Sequence, residues 1–290
     1  MRNSPLVVYI ATDGWSLDQE HLQKIEKVGA RIIEVYFADS ADLAHGNDSE
    51  KVFNLAPEID ALINSGMQIT SALLDRLKKC KIITLPSIGF DNVDIKTATR
   101  HGISVENAPG FCTEEVSNQI ITMLLCWNRR MTQWDRKIRD GIWFTPEPIP
   151  RLSHQILGLI GFGGIGRDVC RRVQALGLKV LVYDPFVDAE EVVEQGATPA
   201  ALEELLDQAD YISMQSPLNS KTRGFMDHNK LVKMKKTAFL INCSRGGVVE
   251  EPDLIKALRD GTIAGAGLDV FAQEPLPLDH PFFAMENVIL

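Results

Sequence analysis

Between residues 156 and 184 an apolar run, Ile156-Leu157-Gly158-Leu159-Ile160, leads into Gly161-Phe162-Gly163-Gly164-Ile165-Gly166 and a helical pattern. A second run, Lys179-Val180-Leu181-Val182-Tyr183, then ends on Asp184. In order this reads as strand, glycine turn, helix, strand and acid, the plan of a dinucleotide-binding βαβ unit. Ile165, Val169, Val173 and Leu176 recur on one face of the helix, and both flanking runs are continuously apolar, as strands buried on both faces are. The three glycines serve different ends. Gly161 makes the tight turn, Gly163 lets backbone approach a pyrophosphate, and Gly166 allows the helix to pack closely on the strand. The free N–H groups and dipole of the helix start favour phosphate there, so Gly161, Gly163, Gly164, Ile165 and Gly166 are candidate cofactor contacts. Asp184 is placed to accept both hydroxyls of an adenosine ribose and would repel a 2'-phosphate. Pro185 and Phe186 follow it instead of a basic residue, so NAD is expected rather than NADP.

A length of 290 residues predicts about two domains, and 45% hydrophobic residues suffice for two ordinary cores. The net charge of -9 is spread evenly along the chain. No basic face or tail therefore marks nucleic acid or an anionic membrane as a partner. Met1 runs directly toward the strand-like Leu6 to Ile10 without a leader pattern, and no run approaches 18 apolar residues, which predicts a soluble cytoplasmic protein. The five cysteines, Cys80, Cys112, Cys126, Cys170 and Cys243, are odd in number and widely spaced, with no CxxC pair and no histidine at ligand spacing. Reduced thiols and no metal site are expected.

Before the glycine turn, apolar runs at Leu6 to Ile10, Ile32 to Phe37, Ala61 to Ile63, Ile82 to Leu85 and Ile103 to Val105 alternate with helical stretches, which predicts a small doubly wound α/β unit. A long amphipathic helix follows, opening at Thr113 with Glu114 and Glu115 in its first turn and carrying Val116, Ile120, Met123, Leu124, Trp127 and Met131 on one face. Residues 132 to 155 hold Trp134, Trp143, Pro146, Pro148 and Pro150 and read as an irregular surface excursion, whose tryptophans serve either packing or a homodimer contact. After Asp184 the alternation resumes at Tyr211 to Met214, Ala238 to Asn242, Gly267 to Val270 and Val288 to Leu290. The expected architecture is α/β with two tandem doubly wound units: a substrate domain over 1–108 and a nucleotide domain over 109–290, with a cleft between them.

Two segments follow strands of the second unit, at the carboxyl edge where open α/β sheets bind ligands. One is Ile241-Asn242-Cys243-Ser244-Arg245-Gly246-Gly247-Val248-Val249, the other Gly267-Leu268-Asp269-Val270-Phe271-Ala272-Gln273-Glu274-Pro275-Leu276-Pro277. An arginine directly after a buried strand and beside a glycine pair can aim a bidentate guanidinium at a carboxylate or keto oxygen. A glutamate near it can raise the pKa of an imidazole by stabilising its charged form. On spacing alone, Arg245 and Glu274 read equally well as an ordinary ion pair.

These two segments, together with Gly261-Thr262-Ile263, Gly89-Phe90-Asp91-Asn92-Val93-Asp94 and the nucleotide turn, resemble the D-isomer-specific 2-hydroxyacid dehydrogenases over nearly the whole chain. Cys112-Thr113-Glu114-Glu115-Val116 and Pro148-Ile149-Pro150-Arg151-Leu152 look most like the branch related to the C-terminal binding proteins. The resemblance implies a flavodoxin-like substrate domain, a Rossmann NAD-binding domain, and hydride transfer between NAD and a small 2-hydroxy or 2-keto acid. By the same resemblance Arg245 orients the substrate, and Glu274 supports an acid-base histidine. Backbone N–H groups near Ser87, Ile88 and Gly89 hold the substrate carboxylate, with selectivity coming from loops near Thr12 to Trp15, Asn64 to Met67 and Pro86 to Phe90. Asp269 lies near the nicotinamide carboxamide, while Ser216, Pro217, Thr222 and Cys243 line the cofactor cleft. Asn118 and Gln215 depart from the family pattern. The family continues past Asn287-Val288-Ile289-Leu290 into its catalytic histidine, whereas this sequence stops at Leu290, so weak turnover is expected. His21, His45, His101, His154, His228 and His280 are expected to be surface or packing residues. The alternative activity is an NAD(H)-responsive dimeric scaffold without necessary turnover.

Overall fold

A computed structural model describes residues 4–12, 16–37, 49–143 and 148–290. Two compact units divide the chain, Met1–Phe111 and Cys112–Leu290. Positions 13–15 of the expected selectivity loop, His45 and Pro146 lie outside the described residues.

In the first unit, β1 (Leu6–Thr12), β2 (Arg31–Phe37), β3 (Ala61–Asn64), β4 (Ile82–Thr84) and β5 (Ser104–Glu106) form one parallel sheet in the order β2-β1-β3-β4-β5. Val8, Ile10, Val35, Phe37, Leu62 and Ile83 are at most 1% exposed and share one core with the Leu73–Leu74 turn. All five expected strands are present, in a flavodoxin-like winding.

The second unit is a seven-stranded parallel sheet of β6 (Ile156–Ile160), β7 (Lys179–Tyr183), β8 (Thr198–Pro199), β9 (Tyr211–Met214), β10 (Phe239–Asn242), β11 (Gly265–Leu268) and β12 (Val288–Ile289). Its order, β12-β11-β10-β9-β6-β7-β8, reverses direction between β6 and β9, the switch point of a Rossmann fold. Both faces are covered, and alternate residues of one strand therefore serve different cores. Phe239 and Ile241 of β10 pack with the long helix, while Leu240 packs on the opposite side with Leu205, Leu254 and Ala266.

Four expectations need correction. The long helix spans Thr113–Asn128 and stops there, because Arg130 adopts a left-handed conformation (φ 52°). Met131 belongs to a separate helix, Met131–Arg139, and is 56% exposed instead of lying on the buried face. The stretch expected to be irregular thus opens with a helix, which the Asp135–Arg139 pair at 2.9 Å supports one turn apart. Strand β11 covers Gly265–Leu268, two residues earlier than expected, with Gly265 opposite Phe239, and Asp269 leaves the sheet after its N–H reaches Asn242 O. In the helix Gly164–Ala175 the buried face is Gly166, Val169, Cys170 and Val173, and Leu176 is exposed beyond its end.

Trp127 shows what places the long helix. Its ring stacks on Phe239 at 4.4 Å between centroids, and a Cβ at Gly265 would stand 2.5 Å from it. The absence of side chains at Gly265 and Gly267 is therefore what lets Trp127 and Met123 lie directly on the sheet.

Candidate functional site

The glycine turn follows β6 at the switch point. Gly161 has φ +105°, and a Cβ there would be 2.8 Å from the Gln215 carbonyl, so turn and β9 loop touch backbone to backbone. A Cβ on Gly166 would be 2.8 Å from Gly161 O, which keeps the helix seated on the turn. Gly163 differs: it caps the helix Gly164–Ala175, and a Cβ there would meet no atom within 4 Å. The space above it is open, with the first N–H groups of the helix facing it.

Asp184 follows β7. Its Oδ2 accepts the Phe162 N–H at 2.7 Å and its Oδ1 the Phe186 N–H at 2.9 Å. Two backbone donors thus fix the carboxylate's orientation, and each oxygen keeps a lone pair for a hydroxyl. Ser216, after β9, has a buried hydroxyl oxygen with no partner among the described residues. An open glycine cradle at a helix start, an oriented carboxylate and an orphaned hydroxyl together fit a dinucleotide. Thr222 does something more local: its hydroxyl donates to Pro217 O and accepts the Asn219 N–H at 2.8 Å, closing the 217–222 turn.

At the carboxyl ends of β10 and β11 the two signature loops meet. Asn242, 1% exposed, accepts the Ser244 N–H at 3.1 Å and donates from Nδ2 to Arg245 O at 2.9 Å, so one buried amide shapes the turn that presents Arg245. Arg245 Nη1 also donates to Ser244 O at 2.9 Å. A Cβ on Gly246 would fall 1.8 Å from Phe271 O, so only glycine lets the Arg245 turn pass beneath the loop that carries Glu274. Glu274 Oε1 accepts the Phe271 N–H at 2.9 Å, which folds its carboxylate back over that loop. Cys243 turns its thiol into the core beside Met123, where burial and then the nearby Asp269 push it up to about 12. Toward the carboxyl edge of the sheet Cys243 therefore offers backbone.

In the first unit, Ser87, Ile88 and Gly89 follow β4. Their carbonyls are all engaged, by Ala108 N–H at 3.0 Å, Asn107 Nδ2 at 2.7 Å and the Ser87 hydroxyl at 2.8 Å respectively. The loop is pinned by its acceptors, an arrangement that suits a pair of amides presented to an anion.

Two residues, Gln119 and Glu251, carry no signal in the sequence, and His280, expected at the surface or in packing, is the partner of the second. Gln119 donates to Asp269 Oδ1 at 3.0 Å from the long helix. Glu251 accepts the Ala272 N–H at 3.1 Å, and His280 Nε2 stands 3.1 Å from the same carboxylate. Glu251 and Ala272 are 21 residues apart, and no spacing rule links a helix start to a loop at that distance. Among the described residues there is no cluster of three metal-ligating side chains, and no helix is long and apolar enough to cross a membrane.

Residues 121–290 match the D-isomer specific 2-hydroxyacid dehydrogenase family in its NAD binding domain. A glyoxylate reductase of Korarchaeum cryptofilum is 36% identical over 275 residues, 92% of this chain and 83% of that protein. A D-3-phosphoglycerate dehydrogenase of Methanocaldococcus jannaschii is 32% identical over 98% of this chain, which spans about half (52%) of that relative. The crystal structure of D-lactate dehydrogenase from Aquifex aeolicus, complexed with NAD and lactic acid, superimposes with a TM-score of 0.82 at 26% identity, covering 98% of this chain and 86% of that one. With the switch-point turn, the oriented Asp184 and the paired signature loops in place, this chain belongs to the D-isomer specific 2-hydroxyacid dehydrogenase family and is an NAD-dependent oxidoreductase of that kind.

Proposed function

We propose that the chain reduces a small unbranched 2-keto acid, glyoxylate or a near analogue, with NADH. When bound, NADH would supply the hydride that reduces the keto carbon. Arg245 acts on the keto oxygen, where its guanidinium stabilises the alkoxide that develops. Glu274 is the carboxylate that would hold an acid-base imidazole in its charged form, and because none of the six histidines of this sequence takes that role, turnover is expected to be slow. His280 is not offered for this role, since it is engaged with Glu251 and with the Phe282 N–H. The amides of Ser87, Ile88 and Gly89 take the substrate carboxylate, which makes residues 1–108 the substrate domain and 109–290 the NAD domain. Asp269 takes the carboxamide, and Gly161, Gly163, Gly164, Ile165, Gly166, Asp184, Ser216, Pro217, Thr222 and Cys243 surround the rest of the dinucleotide.

The observation that carries this reading is the contact of Gly246 with Phe271 O, because it forces the Arg245 and Glu274 loops together at adjoining strand ends. A scaffold has no need of that arrangement, so the scaffold alternative has no observation of its own. The test is Arg245→Lys, which replaces a planar fork with a point charge. It is expected to lower kcat/KM for glyoxylate by about 10²-fold while the NADH affinity, read by fluorescence, stays within about twofold. An unchanged kcat/KM would sink the role of Arg245.

The same reading makes the protein a cytoplasmic homodimer. All five cysteines are unpaired, as suits a reducing compartment. The helix Met131–Arg139 fully buries none of its residues, and Met131, Trp134 and Ile138 recur on one side of it.

A further inference from the structure

The loop that carries Glu274 has little backbone support of its own. Asp269 N–H ends the ladder on Asn242 O, and the next backbone-to-backbone donor along the chain, among the described residues, is His280 N–H, to Pro277 O. Between them the amides of Phe271 and Ala272 go to carboxylates, the first to Glu274 Oε1 at 2.9 Å and the second to Glu251 Oε2 at 3.1 Å. Glu251 begins the helix Glu251–Arg259 and its side chain is only 19% exposed. Its other oxygen, Oε1, lies 3.1 Å from Nε2 of His280, whose side chain is 13% exposed. His280 Nδ1 accepts the Phe282 N–H at 3.4 Å, which leaves Nε2 to carry the ring proton toward Glu251. The imidazole packs 4.6 Å from the Phe282 ring, itself 1% exposed.

We infer that Glu251 and His280 are a positioning pair for the Glu274 loop. The proposal rests on the reading of Glu274 given above. One carboxylate divides its two oxygens between the loop amide of Ala272 and an imidazole anchored on a buried turn. Two donors from different segments fix the plane of the Glu251 carboxylate, and that plane fixes where Ala272, and with it Glu274, can stand. An ordinary buried ion pair would stabilise the fold without holding a loop that, among the described residues, has no backbone-to-backbone donor between Asp269 and His280. Neither residue touches a reacting atom, and both act through Glu274.

The test compares His280→Ala with His280→Gln, whose side-chain amide reaches the same carboxylate oxygen. In His280→Ala, without ligand, hydrogen exchange of the peptide 269–276 is expected to quicken about tenfold while β6 and β9 exchange as in the parent chain. In the same variant kcat for 2-keto acid reduction falls about tenfold with the KM for NADH unchanged. His280→Gln restores both. The inference is overturned if His280→Ala leaves loop exchange and kcat at parental values, if His280→Gln fails to restore them, or if β6 and β9 loosen equally, which would mark a general loss of stability. Glu274→Gln, measured alongside, is expected to lower kcat. A parental kcat there overturns the role of Glu274 itself, and it is told apart from failure of the tether because exchange is read in the absence of substrate.

Discussion

At Gly163 a side chain has room, and the proposed dinucleotide accounts for the glycine there. Gly163→Ala meets nothing within 4 Å and keeps an ordinary backbone, φ -74°. It is expected to cost under about 1 kcal/mol of stability and yet to weaken NADH at least about tenfold, because the methyl occupies the open space above the helix start. Gly161→Ala inverts the pattern. It forces a methyl against the Gln215 carbonyl at positive φ and should cost roughly 1–3 kcal/mol by thermal unfolding, with or without cofactor. Equal stability losses in the two variants, or full NADH affinity in Gly163→Ala, would remove Gly163 from the site. The thiols offer a second check at this scale. Burial pushes Cys80 and Cys170 up to about 11 and Cys243 to about 12; burial, then Glu115, raises Cys112 as well, but Cys112 and Cys126 are only half-buried and stay within reach of a reagent. A thiol reagent at roughly pH 8 should titrate Cys112 and Cys126 in the native chain and all five only after denaturation. Rapid reaction of all five in native protein would contradict the packing of Cys243 against Met123.

Between elements, polar side chains join the apolar core in tying the helix of the nucleotide turn to the long helix. Asp168, on the helix that begins at Gly164, holds Arg171 at 2.6 Å and Arg172 at 2.7 Å, and Arg172 reaches Asn118 of the long helix at 2.8 Å. Burial raises the Asp168 carboxyl, but hydrogen bonds from Arg171, Ser117 and Arg172 outweigh it and hold the group below its usual 3.8. A depressed folded pKa gives stability that is complete above the unfolded value and is lost as pH falls through the folded one. Asp168→Asn should therefore cost about 1 kcal/mol near neutral pH, and the gap from the parent should close as the pH drops below 3.8. A gap that persists at acid pH would assign the cost to packing. The same elements show why some of the fold was legible and some was not. The glycine turn could be read because everything it needs, from Ile156 to Asp184, is local. The break at Arg130 could not, since Asn128-Arg129-Arg130 holds no proline or glycine and the left-handed residue is an arginine. Nor could the start of β11, where Gly265-Ala266-Gly267 has no apolar bulk and Trp127 and Met123, supplied by a helix far earlier in the chain, take the place of side chains. Arg245 and Glu274 were readable as motif residues, whereas Glu251, His280 and Gln119 join the site only through tertiary contact.

For the molecule as a whole, the helix Met131–Arg139 is the segment on which the proposed homodimer can be tested. Nine residues are too few to be helical on propensity alone, and none of them is fully buried. Met131 and Ile138 are 56% and 51% exposed, Ile142 and Trp143 beyond the helix are 46% and 85% exposed, and Trp134 stands between Met131 and Ile138 on the same side. Beside this helix runs a groove of about 770 Å³, lined by Trp127, Gln133, Arg136, Asp140, Lys236 and Glu286 at the amino ends of the sheet. An exposed apolar stripe can meet its own copy across a two-fold axis, stripe against stripe, while the polar groove beside it stays at the rim. The prediction is that the parent chain sediments as a dimer at micromolar concentration and that Trp134→Asp combined with Ile138→Asp sediments as a monomer. The unfolding temperature of the parent should rise with protein concentration, and that of the double variant should not. NADH affinity should remain within about threefold in the monomer, because the glycine turn and Asp184 belong to elements that the substitutions do not touch. A parent chain that sediments as a monomer, or a double variant that still dimerises, would mean that this face is not the contact. A monomer that has lost NADH binding would instead show that the dimer helps to build the nucleotide site, a dependence absent from the geometry around Gly163.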